Sequence, residues 1–257
     1  MHGLRRLLFF HLLTCLRQNA LGGEIIDGEK AQKNTMQFMA SLQISSGVHV
    51  CGGVLISEDF VLTAAHCDVV TRVILGGHNL KMIDSGKVRD IEKKCKHPSY
   101  VRVGLGNDIM LLKLSSKVAL DNKVEIIKLP CAESEVKEKQ ICSVAGWGGT
   151  RSGGKSEDEL RVVDVSIIKP QVCKDMWGNP PDNVICAGGY NTTKGFCQGD
   201  SGGPLVCNRE AVGVVSFNKW NNKTQNGNCD YPDIPNVYTD ISKFLPWINK
   251  ILNAKDC

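Results

Sequence analysis

Cys197-Gln198-Gly199-Asp200-Ser201-Gly202-Gly203-Pro204 suits neither a helix nor a strand. Glycines on both sides of one serine, with a proline closing the run, favour a tight turn. Such a turn exposes one hydroxyl and leaves backbone N–H groups free to point outward. A plain Gly/Ser/Asp surface loop has the same composition, so the meaning of the stretch depends on what surrounds it.

Outward from the turn, short β-rich runs alternate with turn signals. Val54-Leu55-Ile56, Phe60-Val61-Leu62, Val73-Ile74-Leu75 and residues 109–114 precede it at a distance. Residues 142–145, 160–168 and 184–187 lead up to it, and 204–207, 211–217 and 237–239 follow. Residues 38–50 read as a hairpin around Ser45-Ser46-Gly47. Strands this short, with turns about every ten residues, predict an all-β barrel or sandwich. A charged, loop-like stretch over 131–140 is the best link between two halves. Only 241–253 spaces its apolar residues (Ile241, Phe244, Leu245, Trp247, Ile248, Leu252) as an amphipathic helix does.

With 257 residues, 42% hydrophobic and 23% charged, the chain can bury a large core. No segment approaches the ~18 apolar residues of a membrane span. The first residues read as a secretory signal: Arg5 and Arg6, then apolar Leu7 to Leu16, then Ala20-Leu21-Gly22 as a cleavage site after residue 22. Removing residues 1–24 takes the formal charge from +4 to +2. That is too little to argue for nucleic acid, though a weak interaction with anionic glycans stays open. Of 12 cysteines, Cys15 leaves with the signal. No CxxC pair occurs, so an oxidised disulfide framework is expected, with an odd thiol left over.

Amide hydrolysis by acyl transfer needs a nucleophile, a base, a group that orients the base and donors for an oxyanion. Three stretches supply them in the order histidine, aspartate, serine: Leu62-Thr63-Ala64-Ala65-His66-Cys67, Asn107-Asp108-Ile109-Met110-Leu111-Leu112 and Gly199-Asp200-Ser201-Gly202-Gly203-Pro204. Together and in this order they make the chain resemble a chymotrypsin-family serine protease from Ile25 to the final helix. The resemblance implies two six-stranded antiparallel β-barrels with the active site between them and a C-terminal α-helix. His66 and Asp108 come from the first barrel and Ser201 from the second. It also implies the roles: Ser201 attacks, His66 moves the proton, Asp108 orients His66, and the N–H groups of Gly199 and Ser201 form the oxyanion hole. Ser216 matches the residue that anchors the aspartate. No cofactor and no metal are expected; Gly77 stands where calcium-binding relatives carry a glutamate.

Family members are switched on when a freed N-terminal amine pairs with the aspartate beside the nucleophile, here Ile25 with Asp200. Glu24 precedes Ile25, so a trypsin-like activator does not fit. With the signal ending at residue 22, the pro-segment is the dipeptide Gly23-Glu24 (23–24), as in granzymes and leukocyte and mast-cell granule proteases activated by a dipeptidyl peptidase. The protease domain is then 25–257. His49 matches the histidine that can hold the aspartate before activation. By resemblance the disulfides are Cys51–Cys67, Cys142–Cys207, Cys173–Cys186 and Cys197–Cys229. Cys131–Cys257 is a further candidate, which leaves Cys95 free or linking two chains as a disulfide dimer.

The residue six before the nucleophile, an aspartate in trypsin-like members, is Gly195. Phe196 follows it, Gln198 lies further along, and Ser216, Phe217, Asn218 and Asn236 complete the substrate pocket implied by the resemblance. Asn218 and Asn236 stand where glycine is usual, which narrows the pocket toward small to medium uncharged side chains. Lys219 offers an alternative, an acid-binding role. Asn191-Thr192-Thr193 and Asn222-Lys223-Thr224 are glycosylation sequons at Asn191 and Asn222. The expectation is a secreted or granule-stored serine endopeptidase of immune defence or cytotoxicity, acting on protein substrates and met by serpin-type inhibitors. The alternative is an inactive family member that binds glycans or microbes.

Overall fold

The computed structural model describes residues 25–133, 135–221, 226–229, 231 and 233–257. The signal segment, the dipeptide 23–24 and Asn222 lie outside these. Strand β1 is Glu29–Lys30. Then come β2 (Met39–Gln43), β3 (His49–Ser57), β4 (Phe60–Thr63), β5 (Arg72–Leu75), β6 (Val88–Lys96) and β7 (Met110–Leu114). The second half holds β8 (Ile141–Gly146), β9 (Arg161–Ser166), helix α1 (Pro170–Trp177), β10 (Val184–Ala187), β11 (Pro204–Cys207) and β12 (Glu210–Phe217). The short pair β13 (Trp220–Asn221) and β14 (Asn226–Gly227), then β15 (Asn236–Asp240), lead to helix α2 (Leu245–Ala254).

Strands β2 to β7 close into a barrel in the order β2-β3-β4-β7-β6-β5. Its interior is filled by Leu42, Val54, Leu62, Val73, Leu111 and their neighbours. The second half is a seven-stranded antiparallel sheet, β1-β9-β8-β11-β12-β15-β10. Here the expected closed second barrel is refined: the sheet curls until Ile167, just after β9, bridges Ala187 at the end of β10. That single bridge completes a ring of six strands, and β1 lies outside it as an added edge.

Two elements escape a reading of hydrophobic pattern. Strand β6 is rich in charge, and Cys95 is its one fully buried residue. Helix α1 begins with Pro170 in its first turn and ends at Gly178 in the left-handed conformation, the usual N- and C-terminal signals of a helix. The expected helix over 241–253 divides into a 3-10 turn (Ile241–Phe244) and α2. Leu245, Ile248 and Ile251 of α2 bury against the first barrel's core, although α2 follows the last strand of the second half.

Disulfides join Cys51–Cys67, Cys142–Cys207, Cys173–Cys186 and Cys197–Cys229. The fifth corrects the expectation: Cys257 bonds to Cys95, and Cys131 is the free, exposed thiol. The reason is where the chain ends. Beyond α2 it lies along β6, where Lys93 Nζ meets Asp256 Oδ1 at 2.5 Å. A dimer through Cys95 is thereby ruled out, because its sulfur is used within the chain. Cys95→Ser is expected to cost about 2–5 kcal/mol of stability. Thermal melting checks it, and an unchanged midpoint would mean that the α2 contacts hold the terminus without the bond.

Candidate active site

His66 sits in a 3-10 turn, Ala65–Cys67, directly after β4. The Cys51–Cys67 bridge ties that turn to β3. Asp108 precedes β7, the strand paired with β4, so barrel register alone brings the two side chains together. Asp108 Oδ2 accepts from His66 Nδ1 at 2.8 Å, and Oδ1 accepts from the His66 backbone N–H at 3.0 Å. Ser216 Oγ, from β12 in the other half, donates to Oδ2 at 2.6 Å. Thr239 Oγ1 donates to the Asp108 carbonyl at 2.9 Å.

A carboxylate only 1% exposed is costly unless its lone pairs are met, and here three donors meet them. Because the carboxylate only accepts, Nδ1 of His66 carries the proton and Nε2 is left with its lone pair toward the cleft. That is the tautomer a general base requires.

The 197–203 turn is held from both halves. Gly52 N–H in β3 donates to the Ser201 carbonyl at 2.8 Å, and Gly202 N–H donates to Val215 of β12 at 2.9 Å. Ser201 and His66 line one cleft of about 570 Å³. Ser201 Oγ makes no hydrogen bond to the imidazole; nucleophile–base contacts of this kind commonly tighten only around a bound substrate.

Gln198 C=O accepts from Gly149 N–H at 2.8 Å. In a trans peptide this turns the next N–H, that of Gly199, the opposite way. Among the described residues neither the Gly199 nor the Ser201 N–H makes a hydrogen bond. Gly199 has φ +98, and a side chain there would press on Gly148 and Ser156. Glycine is what the position requires.

His49 does not hold Asp200. Its Nε2 lies 2.9 Å from the Gly199 carbonyl and its Nδ1 lies 2.8 Å from Ser41 Oγ. Burial pulls its pKa down to about 4, partly offset by the bond to Gly199, so the ring is neutral at pH 7. Since a carbonyl only accepts, Nε2–H is the donor and Nδ1 accepts from Ser41. Asp200 is fully buried and accepts from the N–H groups of Gly148 (2.8 Å) and Cys197 (2.9 Å). Burial raises its pKa to about 7 despite both bonds. Ile25 is buried in the same half, in a cluster with Phe196, Cys142 and Tyr238.

Phe196, Gln198, Ser216, Phe217 and Asn218 line the cleft. Gly195 and Asn236 do not; they lie behind its floor. Asn236 is buried, accepts from the Tyr231 hydroxyl, and fills the space over Gly195 so that a Cβ on Gly195 would land on Asn236 Nδ2. Asn218 Nδ2 donates to the Phe196 carbonyl at 3.2 Å, and the Phe196 ring meets Tyr238 edge-on. Lys219, the acid-binding alternative, has its Nζ 2.5 Å from Asp233 Oδ2 in an exposed ion pair. Asn191 is exposed in a left-handed turn, geometrically open to a glycan.

Sequence reasoning missed the cleft's other wall. Val103 and Gly104 face Trp177, Asn179 and Pro180 across it. Trp177 is fixed by its Nε1–H to the Pro235 carbonyl (2.8 Å) and by an edge contact with Phe217. No local sequence pattern marks these residues as cleft wall. Among the described residues, one group brings three ligand-type atoms together, Cys51, His66 and Cys67. Both sulfurs are bonded to each other, so it offers no thiolate to a metal.

A family model described as Trypsin matches residues 25–248. Granzyme B of Rattus norvegicus is 39% identical over 254 residues, covering 96% of this chain and 98% of that protein. Mast cell protease 8 of Mus musculus is 38% identical over 250 residues, covering 96% and 97%. Among solved structures, neuropsin, described as a serine protease expressed in the limbic system of mouse brain, aligns with a TM-score of 0.78. It is 31% identical and covers 88% of this chain and 99% of that one.

Proposed function

Since the chain belongs to the trypsin family of serine proteases, we propose that Ser201, His66 and Asp108 are its catalytic residues. The observation that carries this is the buried Asp108, joined at once to His66 and Ser216 from opposite halves of the fold. Ser201 Oγ attacks the scissile carbonyl while His66 Nε2 takes its proton. The oxyanion meets the N–H groups of Gly199 and Ser201. His66 then gives the proton to the leaving amine, and water repeats the sequence on the acyl-enzyme.

Residues 1–22 are the signal peptide, 23–24 the activation dipeptide and 25–257 the protease domain. Removal of Gly23-Glu24 by a dipeptidyl peptidase frees the Ile25 amine for Asp200. The product is secreted or stored in granules and serves immune defence. Serpin-type inhibitors and anionic glycans are its further partners.

Preference before the cut is for small to medium uncharged side chains. Support comes from the floor: Asn236 backs Gly195, Asn218 is tied to Phe196, and Asp233 answers Lys219. A peptide-library cleavage profile of protein beginning at Ile25 tests this, with Ser201→Ala as control. Cleavage confined to sites after Lys or Arg would overturn the pocket reading. Asn236→Gly removes the side chain behind the floor and should raise kcat/KM for Met and Phe substrates over Ala and Val ones by about 10- to 200-fold. An unchanged ratio would show that Asn236 does not limit the pocket.

A further inference from the structure

Away from the cleft, a depression of about 390 Å³ lies where residues 33–39, the loop after β5 and the turn before β9 meet. Its floor is apolar. Met39 and Leu160 are buried there, and Met36 packs half-buried on the same core. Met82 stands at the rim with 81% of its surface exposed. Methionine is unbranched and polarizable, so a methionine-lined surface adapts to varied apolar shapes. Met36 also has φ 54, a left-handed conformation rare for a residue with a Cβ. Backbone strain of that kind clusters at ligand sites.

Charge at the rim is mostly positive. Lys33 and Lys123 are exposed and make no ion pair among the described residues. Glu159, the acid among the lining residues, is paired with Lys30, and nearby Asp121 is held by Lys87 at 2.5 Å. Lys33 also feels the Glu159 carboxylate, which Lys30 already pairs, so Lys33 and Lys123 leave an excess of positive charge around the apolar floor.

We propose that this depression binds an acidic peptide segment of a protein partner. One large apolar side chain of the segment rests on the methionine floor, and carboxylates on either side of it meet Lys33 and Lys123. A sulfated glycan fits less well, because it has nothing apolar to set on the floor and draws its affinity from many cations rather than two. The site shares no lining residue with the cleft that holds Ser201 and recognises proteins by contacts that short substrates do not make. It stands whether or not the catalytic assignment does.

The test uses protein beginning at Ile25, carrying Ser201→Ala so that no probe is cut, with ¹³C-methyl methionine. Met36, Met39 and Met82 report the depression, and Met110 and Met176 report the rest of the fold. Acetyl-Glu-Glu-Phe-Glu-Glu amide should shift the first three signals saturably and leave the other two in place. Its lysine counterpart should do nothing. The Lys33→Glu, Lys123→Glu double variant should weaken the acidic peptide at least about 10-fold. Unmoved Met110 and Met176 signals establish that this variant is folded, and the same pair of changes in the Ser201 protein should leave cleavage of a short chromogenic peptide unaltered. Equal response to both peptides, shifts confined to Met176, or tighter binding of a heparin-derived hexasaccharide than of the acidic peptide would each overturn the proposal.

Discussion

Replacing Ser201 by alanine is expected to lower kcat by about 10⁶-fold while leaving substrate binding nearly unchanged. The hydroxyl is the atom that would form the acyl-enzyme, and nothing else in the turn can take its place. Gly199, Gly202 and Gly203 carry no side chain, and Asp200 points inward to Gly148 and Cys197. The fold should tolerate the change, since the hydrogen bonds that hold this turn run through the backbone: Gly52 to the Ser201 carbonyl, Gly202 to Val215 and Gly203 to Asp200. Equal melting temperatures with lost turnover, and loss of labelling by an organophosphate, are the expected pair of results. More than about 1% residual turnover would require another nucleophile.

Chain beginning at Ile25 should be at least about 10²-fold more active than chain that keeps Gly23-Glu24, the scale of one lost oxyanion donor. Asp200 adjoins both residues assigned to the oxyanion hole, yet among the described residues the donors to its carboxylate are backbone N–H groups without a full charge. A freed Ile25 amine would supply the missing cation. The same carboxyl gives a second readout. In the full-length chain burial lifts its pKa from the ordinary 3.8 to about 7. Between those values the folded state holds a proton that the unfolded state has released, so stability falls as pH rises through this range. With the amine in place the carboxylate is favoured and the fall should disappear. Melting temperatures at pH 5 and pH 8, taken on both forms with Ser201→Ala to prevent self-cleavage, check the difference. Parallel pH dependence in the two forms would mean that Ile25 does not reach Asp200.

The parts of the fold that were legible in sequence are those where local chemistry and tertiary role coincide. Asp108, His66 and Ser201 lie beside apolar strands whose pattern is plain, and the glycines around Ser201 mark its turn. Strand β6 was hidden because its surface is half solvated on both sides, so lysines and glutamates replace the alternation that identifies a strand. The cysteine left over after the family's four bridges could not be chosen from spacing, because what decides it is where α2 delivers the last residues. Trp177 and Pro180 become cleft wall only through the docking of α1, which no local pattern encodes. Asn236 was readable as a pocket residue, but its bond with Tyr231 and its fit over Gly195 belong to the folded arrangement alone.

The first strand and the last helix are exchanged between the halves: β1 extends the second sheet, while α2 and Cys257 belong to the first barrel. During synthesis, which proceeds from the N-terminus, all six strands of that barrel are available once residue 114 has emerged. Its helical cover and its covalent tie to β6 arrive only with residues 245–257. The first half must therefore wait, part-finished, for the whole of the second, and a ribosome that stops short of Cys257 releases a barrel with an open flank.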